Sequence, residues 1–166
     1  MASAHESVLA MWSSYLAAMG QRAESTELTF RFWHFCDNER DADELAKLVV
    51  AGIKRASAPC LWELEDGRVP VRNDLDIVTY WSGEACCVIQ TTDVEIKAFA
   101  DVSPSFAALE GEGDGSLEYW RRVHWEYYER VLKPLARAPA SDMPVVCQRF
   151  EVVYPANAAL EQTRKR

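Results

Sequence analysis

Two segments of the chain carry side chains of the type and spacing that do chemistry. In the first, LVVAGIKRAS, Lys54 follows Gly52 and Ser57 lies three residues further on. If the turn stays helical, both side chains share one face. A lysine beside a hydroxyl makes a nucleophile with its base, provided burial lowers the lysine pKa. The alternative is a solvated lysine at a helix C-terminus, held there by the dipole. Replacement of Lys54 by Ala is expected to abolish activity while leaving the fold intact, because a helix-end lysine adds little stability, under about 0.5 kcal/mol. The second segment is LEGEGDGSLEYWRRVHWEYY. It sets Glu110, Glu112 and Asp114 in one loop, then a helix start, then Trp120, Arg121, Arg122 and His124. Three carboxylates in five residues suit a divalent ion or proton transfer. Trp120 and His124, four apart, line one helix face. The plainer reading is an acidic flank at a helix N-terminus followed by an aromatic core stripe.

These segments need elements to hold them. Residues 3–20 read as a helix, with Ser3 and Glu6 as a capping box, Val8, Met11, Trp12, Tyr15, Leu16 and Met19 on one stripe, and Gly20 as the stop. LTFRFW, 28–33, alternates like a strand. Asp41 with Glu44 repeats the cap pattern, and Leu45, Leu48, Val49 and Ile53 form a second amphipathic helix broken near Gly52. From Ala58 to Phe99 the pattern is strand-like, with CLWEL, DIVTYW and CCVIQTTDVEIKAF as the segments and Ser82-Gly83 as a hairpin turn. Ser103-Pro104 opens a short helix. Ser116 caps a longer one that ends near Pro134, PVVCQRFEVVY is a last strand, and the tail after Asn157 is expected to fray. The order is αβαβββααβ, a mixed α+β domain whose strands can curl into a small barrel.

Composition excludes several classes. At 166 residues with 49% hydrophobic content and 18 aromatic rings, the chain supports a core and is not disordered. The net charge of −8 argues against duplex DNA as a partner, though not against a small cationic pocket for one nucleotide or a short single strand. No apolar run approaches a membrane span, and the opening MASAHESVLA lacks the basic region of a signal peptide, so no membrane partner is expected. The five cysteines, Cys36, Cys60, Cys86, Cys87 and Cys147, contain no C-x-x-C pair and read as buried thiols of a reducing cytoplasm.

The string EGEGD-x-S-L-x-Y-W-R-x-x-H, preceded by A-G-x-K-x-x-S, resembles the longer bacterial ASCH-domain proteins over about residues 28–154. The resemblance implies a PUA-like fold, a small mixed β-barrel flanked by helices, with residues 1–27 as an N-terminal helix packed on the domain and 155–166 as a C-terminal tail. It implies a cleft that takes RNA or a nucleoside. A smaller relative deacetylates acetylcytidine with a Lys, a Thr and a Glu, which match Lys54, Ser57 and Glu110. Longer members have been assigned ribonuclease activity on single strands. Relatives often have Trp-x-Phe-Gly at the first strand, where this chain has Trp33, His34, Phe35 and Cys36. Around the implied catalytic residues, Arg55, Arg72, Arg121, Arg122 and His124 are candidates for binding RNA, and Trp33, Trp62 and Trp120 for stacking a base. Glu112 and Asp114 are candidate metal ligands, and a divalent metal ion is the one cofactor that suggests itself. Three functions follow: a ribonuclease acting on single-stranded RNA, ranked first; an amidohydrolase for a modified nucleoside; and an RNA- or nucleotide-binding module without chemistry.

Overall fold

The computed structural model describes residues 5–21, 26–64 and 67–155. Among the described residues four α-helices and five strands follow one another: α1 (Glu6–Ala18), β1 (Phe30–Trp33), α2 (Glu39–Val50), β2 (Ala56–Ser57), β3 (Leu75–Thr79), β4 (Ala85–Ala98), α3 (Pro104–Glu110), α4 (Leu117–Leu132) and β5 (Pro144–Tyr154). The strands form a mixed sheet in the order β1-β3-β4-β5-β2. The chain is α+β, as its pattern predicts, and the architecture is consistent with a PUA-like fold. No helix among the described residues is long and apolar enough to cross a membrane.

The chain groups into two compact units, and β4 and β5 each contribute to both. The first comprises residues 1–52, 73–90 and 151–166. Its core is the stripe of α1 (Val8, Trp12, Tyr15, Leu16) with Leu75, Ile77 and Val88. β1 runs parallel to β3, and β3 pairs antiparallel with β4 through the hairpin turn at Tyr80–Glu84. Helix ends here are set by local chemistry. Gly20 adopts φ 70° and closes α1 with hydrogen bonds from Gly20 N to Ala17 O and from Gln21 N to Leu16 O. The start of α1 differs from expectation: His5 is the cap, its Nδ1 accepting from Ser7 N, while Ser3 lies outside the described residues. α2 also starts earlier. Asn38, in extended conformation, accepts from Asp41 N, so Asp41 is a first-turn residue and not the cap.

The second unit comprises residues 53–72 and 91–150. Its core gathers Phe99, Phe106, Trp120, Tyr128, Leu132, Met143 and Val145 among others. α3 and α4 start as their sequences predict, with Ser103 accepting from Phe106 N and Ser116 from Tyr119 N. Two expectations fail in this unit. CLWEL is no strand: Leu61–Glu63 is a 3-10 turn, closed by the Glu63 carboxylate accepting from Cys60 N, and Cys60 alone bridges to Val145. The strand that joins the sheet is β2, where Ala56 pairs with Arg149 and Ser57 with Gln148. The sequence pattern predicts the end of a helix there, but the chain has left α2 at Gly52.

Candidate functional site

Gly52 adopts φ 73° and is the first residue past the C-cap of α2, so the backbone has left the helix before Lys54. Lys54 and Ser57 therefore do not share a helical face. Lys54 sits in a short extended connection, and Ser57, half-buried, is placed by its pairing with Gln148. Arg55 N donates to Leu109 O at 2.8 Å, and Phe150 N donates to Arg55 O at 3.0 Å. These bonds lay the connection along the end of α3 and beside β5.

The EGEGD loop closes against it. Gly111 caps α3 in the left-handed region, φ 65°, and a Cβ there would stand 2.7 Å from both Ile53 Cγ2 and Ile53 O. Only glycine permits so close an approach to the residue preceding Lys54. A Cβ on Gly113, φ 55°, would run into the Tyr119 ring. The two glycines thus place the carboxylates of Glu110 and Glu112 where Lys54 can reach both.

It does reach both. Lys54 is 1% exposed, and its ammonium donates to Glu110 Oε2 and, at 2.5 Å, to Glu112 Oε1. Glu110 is equally buried. Its other oxygen, Oε1, accepts from Trp120 Nε1 at 3.1 Å and lies 3.3 Å from His124 Nε2. The His124 ring stacks on Trp120 at 4.1 Å, and its Nδ1 is 3.0 Å from Trp120 O. Both imidazole nitrogens therefore face acceptor oxygens. Tyr128, one turn on, is buried and donates to Ala58 O.

Burial alone would neutralise these charges. It pulls the lysine down, but Glu110 and Glu112 outweigh it and hold Lys54 charged well above its ordinary range. Burial pushes Glu110 up, but Lys54 and then His124 more than reverse this and hold it well below the usual carboxylate range. Lys54 is thus not the solvated lysine that the sequence allowed. A charged lysine is also no base, so the pairing of a Lys54 base with a Ser57 nucleophile is not the chemistry of this arrangement. Glu112, with its side chain 17% exposed, and His124, 12% exposed, are the members of the cluster that open to solvent.

Other candidates fall elsewhere. Asp114 is exposed and accepts from Ser116 N at 2.8 Å, so it helps start α4 and does not join Glu110 and Glu112. The groups with metal-ligand chemistry that do converge are Glu110, Glu112 and His124, their ligand atoms within 4.8 Å of one another. The Lys54 ammonium, bonded to both carboxylates, already supplies the positive charge there and repels a second cation, so these residues do not fit a divalent ion. Trp120 is 2% exposed, with Phe99 stacked at 5.4 Å and His124 at 4.1 Å. It offers no face to a base, and its indole N–H serves Glu110 instead. Trp62 packs against the core with the Arg137 guanidinium 4.4 Å over its ring. Arg121 is exposed and donates to Ala100 O. Arg122 is exposed beside Tyr119 and Glu126. The Arg55 and Arg72 side chains are exposed. Trp33 belongs to the first unit, edge-on to Phe35 at 4.8 Å. Sequence reasoning read Glu112 as a carboxylate for a divalent ion or for proton transfer and missed it as a partner of Lys54. The alternation of glutamate with glycine was the available signal, since glycines that recur in a loop mark backbone that must come close to something.

Residues 31–154 match the family model of the ASCH domain. Among solved structures the chain is similar to an ASCH domain from Lactobacillus crispatus JV V101, at 33% identity and a TM-score of 0.82, covering 93% of this chain and 98% of that one. It is also similar to protein EF3133 from Enterococcus faecalis V583, of the DUF984 family model, at 30% identity and a TM-score of 0.78, covering 89% and 88%. No curated protein matches the chain.

Proposed function

The chain belongs to the ASCH domain family, a family thought to bind RNA, and from that premise we propose that it hydrolyses an amide on a modified nucleoside. One observation carries this choice over cleavage of the RNA backbone: the buried cation of the cluster is spent on two carboxylates. A phosphodiester substrate needs surplus positive charge beside the phosphate. A cluster of one lysine, two glutamates and a histidine has little to offer it. An acylated exocyclic amine carries no charge and asks for a base, a proton carrier and a preorganised polar environment.

The roles follow from access. Glu112 is the general base: it takes a proton from water as the water oxygen attacks the amide carbon. It returns that proton to the leaving nitrogen as the C–N bond breaks, giving the free amine and a carboxylic acid. Lys54 is a positioning residue that holds the Glu112 carboxylate aimed through its hydrogen bond. Glu110 is the buried anchor that fixes Lys54, and Trp120 and His124 fix Glu110. Ser57, at the sheet edge three residues past Lys54, takes the role of orienting the substrate.

The test incubates the full chain with N4-acetylcytidine and, separately, with labelled single-stranded RNA, each with and without a divalent metal. Deacetylation that does not depend on metal is expected, with Glu112→Gln losing at least 10²-fold in rate, as removal of a general base does. Cleavage of the RNA with no deacetylation would overturn the reading in favour of the ribonuclease. Turnover of neither, with saturable nucleoside binding, would leave a binding module.

A further inference from the structure

The site above leaves unused a pair of thiols in the first unit. Cys86 and Cys87 are consecutive on β4, and consecutive side chains of a regular strand leave on opposite faces. Here the register slips. Val78 of β3 faces Cys87, the next residue Thr79 faces Ala85, and Cys86 is the extra residue of a β-bulge. The bulge breaks the alternation and leaves the two sulfurs 3.9 Å apart. Cys86 is half-buried, 3.1 Å from Val78 O, and Cys87 is buried.

We infer that Cys86 and Cys87 form a dithiol that reacts with hydroperoxides, Cys86 as the attacking sulfur and Cys87 as the resolving one. The environment divides the labour. The hydrogen bond with Cys87 lowers the Cys86 thiol despite its burial, whereas the same contact, with burial, raises Cys87 well above its ordinary value. Access divides them in the same sense: Cys86 is the half-buried thiol and Cys87 the buried one, so peroxide meets Cys86 first and Cys87 keeps its proton until the second step. The Cys86 sulfur attacks one peroxide oxygen and the O–O bond breaks. The departing hydroxide takes a proton and leaves as water, and Cys86 becomes a sulfenic acid, oxidised by two electrons as the peroxide is reduced by two. The Cys87 sulfur then attacks the Cys86 sulfur, and its proton leaves with the displaced hydroxyl as a second water. Two thiols and one hydrogen peroxide give one disulfide and two waters. Cys60 and Cys147, in the other unit, are buried and serve as internal controls; burial pushes the Cys147 thiol up to about 12.

The experiment exposes the reduced full-length chain to limiting hydrogen peroxide, caps remaining thiols with N-ethylmaleimide, and maps the digest by mass spectrometry. The peptide holding both residues is expected to lose two hydrogen atoms, to resist capping at both sulfurs, and to recover on treatment with dithiothreitol. In Cys87→Ser, Cys86 is expected to stop at a sulfenic acid that dimedone traps. In Cys86→Ser, peroxide consumption at this peptide is lost. Oxidation first at Cys36, or a wild-type Cys86 that proceeds to sulfinic acid with no linked peptide, overturns the proposal. Mapping of the wild-type chain decides this even if a variant fails to fold.

Discussion

Each unit buries a carboxylate beside a cation and a tryptophan, and the two arrangements behave in opposite ways. In the first unit Asp76 on β3 is fully buried; it accepts from Arg31 Nε at 2.8 Å and Nη2 at 3.1 Å, and from the Trp33 indole. In the second, Glu110 is bound by Lys54, Trp120 and His124. Asp76 is nonetheless held above its ordinary pKa, because burial outweighs Arg31, while Glu110 is held far below. The difference lies in the cations. Arg31 is 30% exposed and shared with Asp74, so water weakens its hold on Asp76. Lys54 is sealed in with its partners, and His124 adds a second favourable charge interaction. A buried carboxylate stays ionised when its cation is buried with it. The Asp76 set is a structural tie between β1 and β3. The Glu110 set is the one with two further polar groups, Glu112 and His124, opening to solvent.

Removing the buried cation should do the most damage. Lys54→Met strands Glu110 without its partner, and urea unfolding should show a loss of about 3–5 kcal/mol. A loss under about 1 kcal/mol would mean that the pair is solvated after all. Glu110→Gln keeps the shape and leaves Lys54 its bond to Glu112, so its cost should be smaller, about 2–3 kcal/mol. Gly111→Ala combines a 2.7 Å clash with backbone in the left-handed region and should cost about 1–3 kcal/mol; an unaffected protein would show that the loop can withdraw from Ile53.

Acid separates the two carboxylates by sign. Glu110, with its folded pKa below the ordinary 4.5, contributes stability that is present above that value and drains away as pH falls toward the folded one. Asp76, with its folded pKa above the ordinary 3.8, costs stability at neutral pH, and acidification relieves that cost as the native state takes up the proton first. Unfolding free energies measured from pH 7 downward should therefore show a shallower acid decline in Glu110→Gln than in wild type, and a steeper one in Asp76→Asn. Identical slopes in all three would remove the contrast. At pH 7, Asp76→Asn should change stability by no more than about 1 kcal/mol, since Arg31 can turn to water. A gain of similar size is expected at Cys36, a non-glycine residue at φ 56°. Cys36→Gly should gain about 1 kcal/mol by relieving the left-handed conformation.

Much of the fold was legible because it rests on short-range chemistry. Ser103 and Ser116 cap their helices, Gly20 and Gly52 end theirs, and the hairpin turns at Ser82-Gly83, all through bonds within a few residues. Cys36 adopts φ 56°, a left-handed backbone that glycine takes without strain. CLWEL was misread because apolar residues beside a buried surface look alike in a strand and a 3-10 turn, and only Glu63 reaching back to Cys60 N selects the turn.

The candidate site divides along the same line. Local sequence was enough to mark Lys54, Glu110, Glu112 and His124 as residues with chemistry, and the two glycines as loop-formers, because residue type and spacing carry that information. The charge states of Lys54 and Glu110 depended on each other and on groups brought together across the chain, with Glu110 and Glu112 standing 56 and 58 residues away from Lys54. Whether Lys54 is a base or a fixed cation, whether Trp120 stacks a base or braces a carboxylate, and whether Asp114 binds metal or caps a helix are questions of desolvation and of which groups meet. Pattern along the chain is silent on both, since burial and pairing are created only when distant segments close on one another.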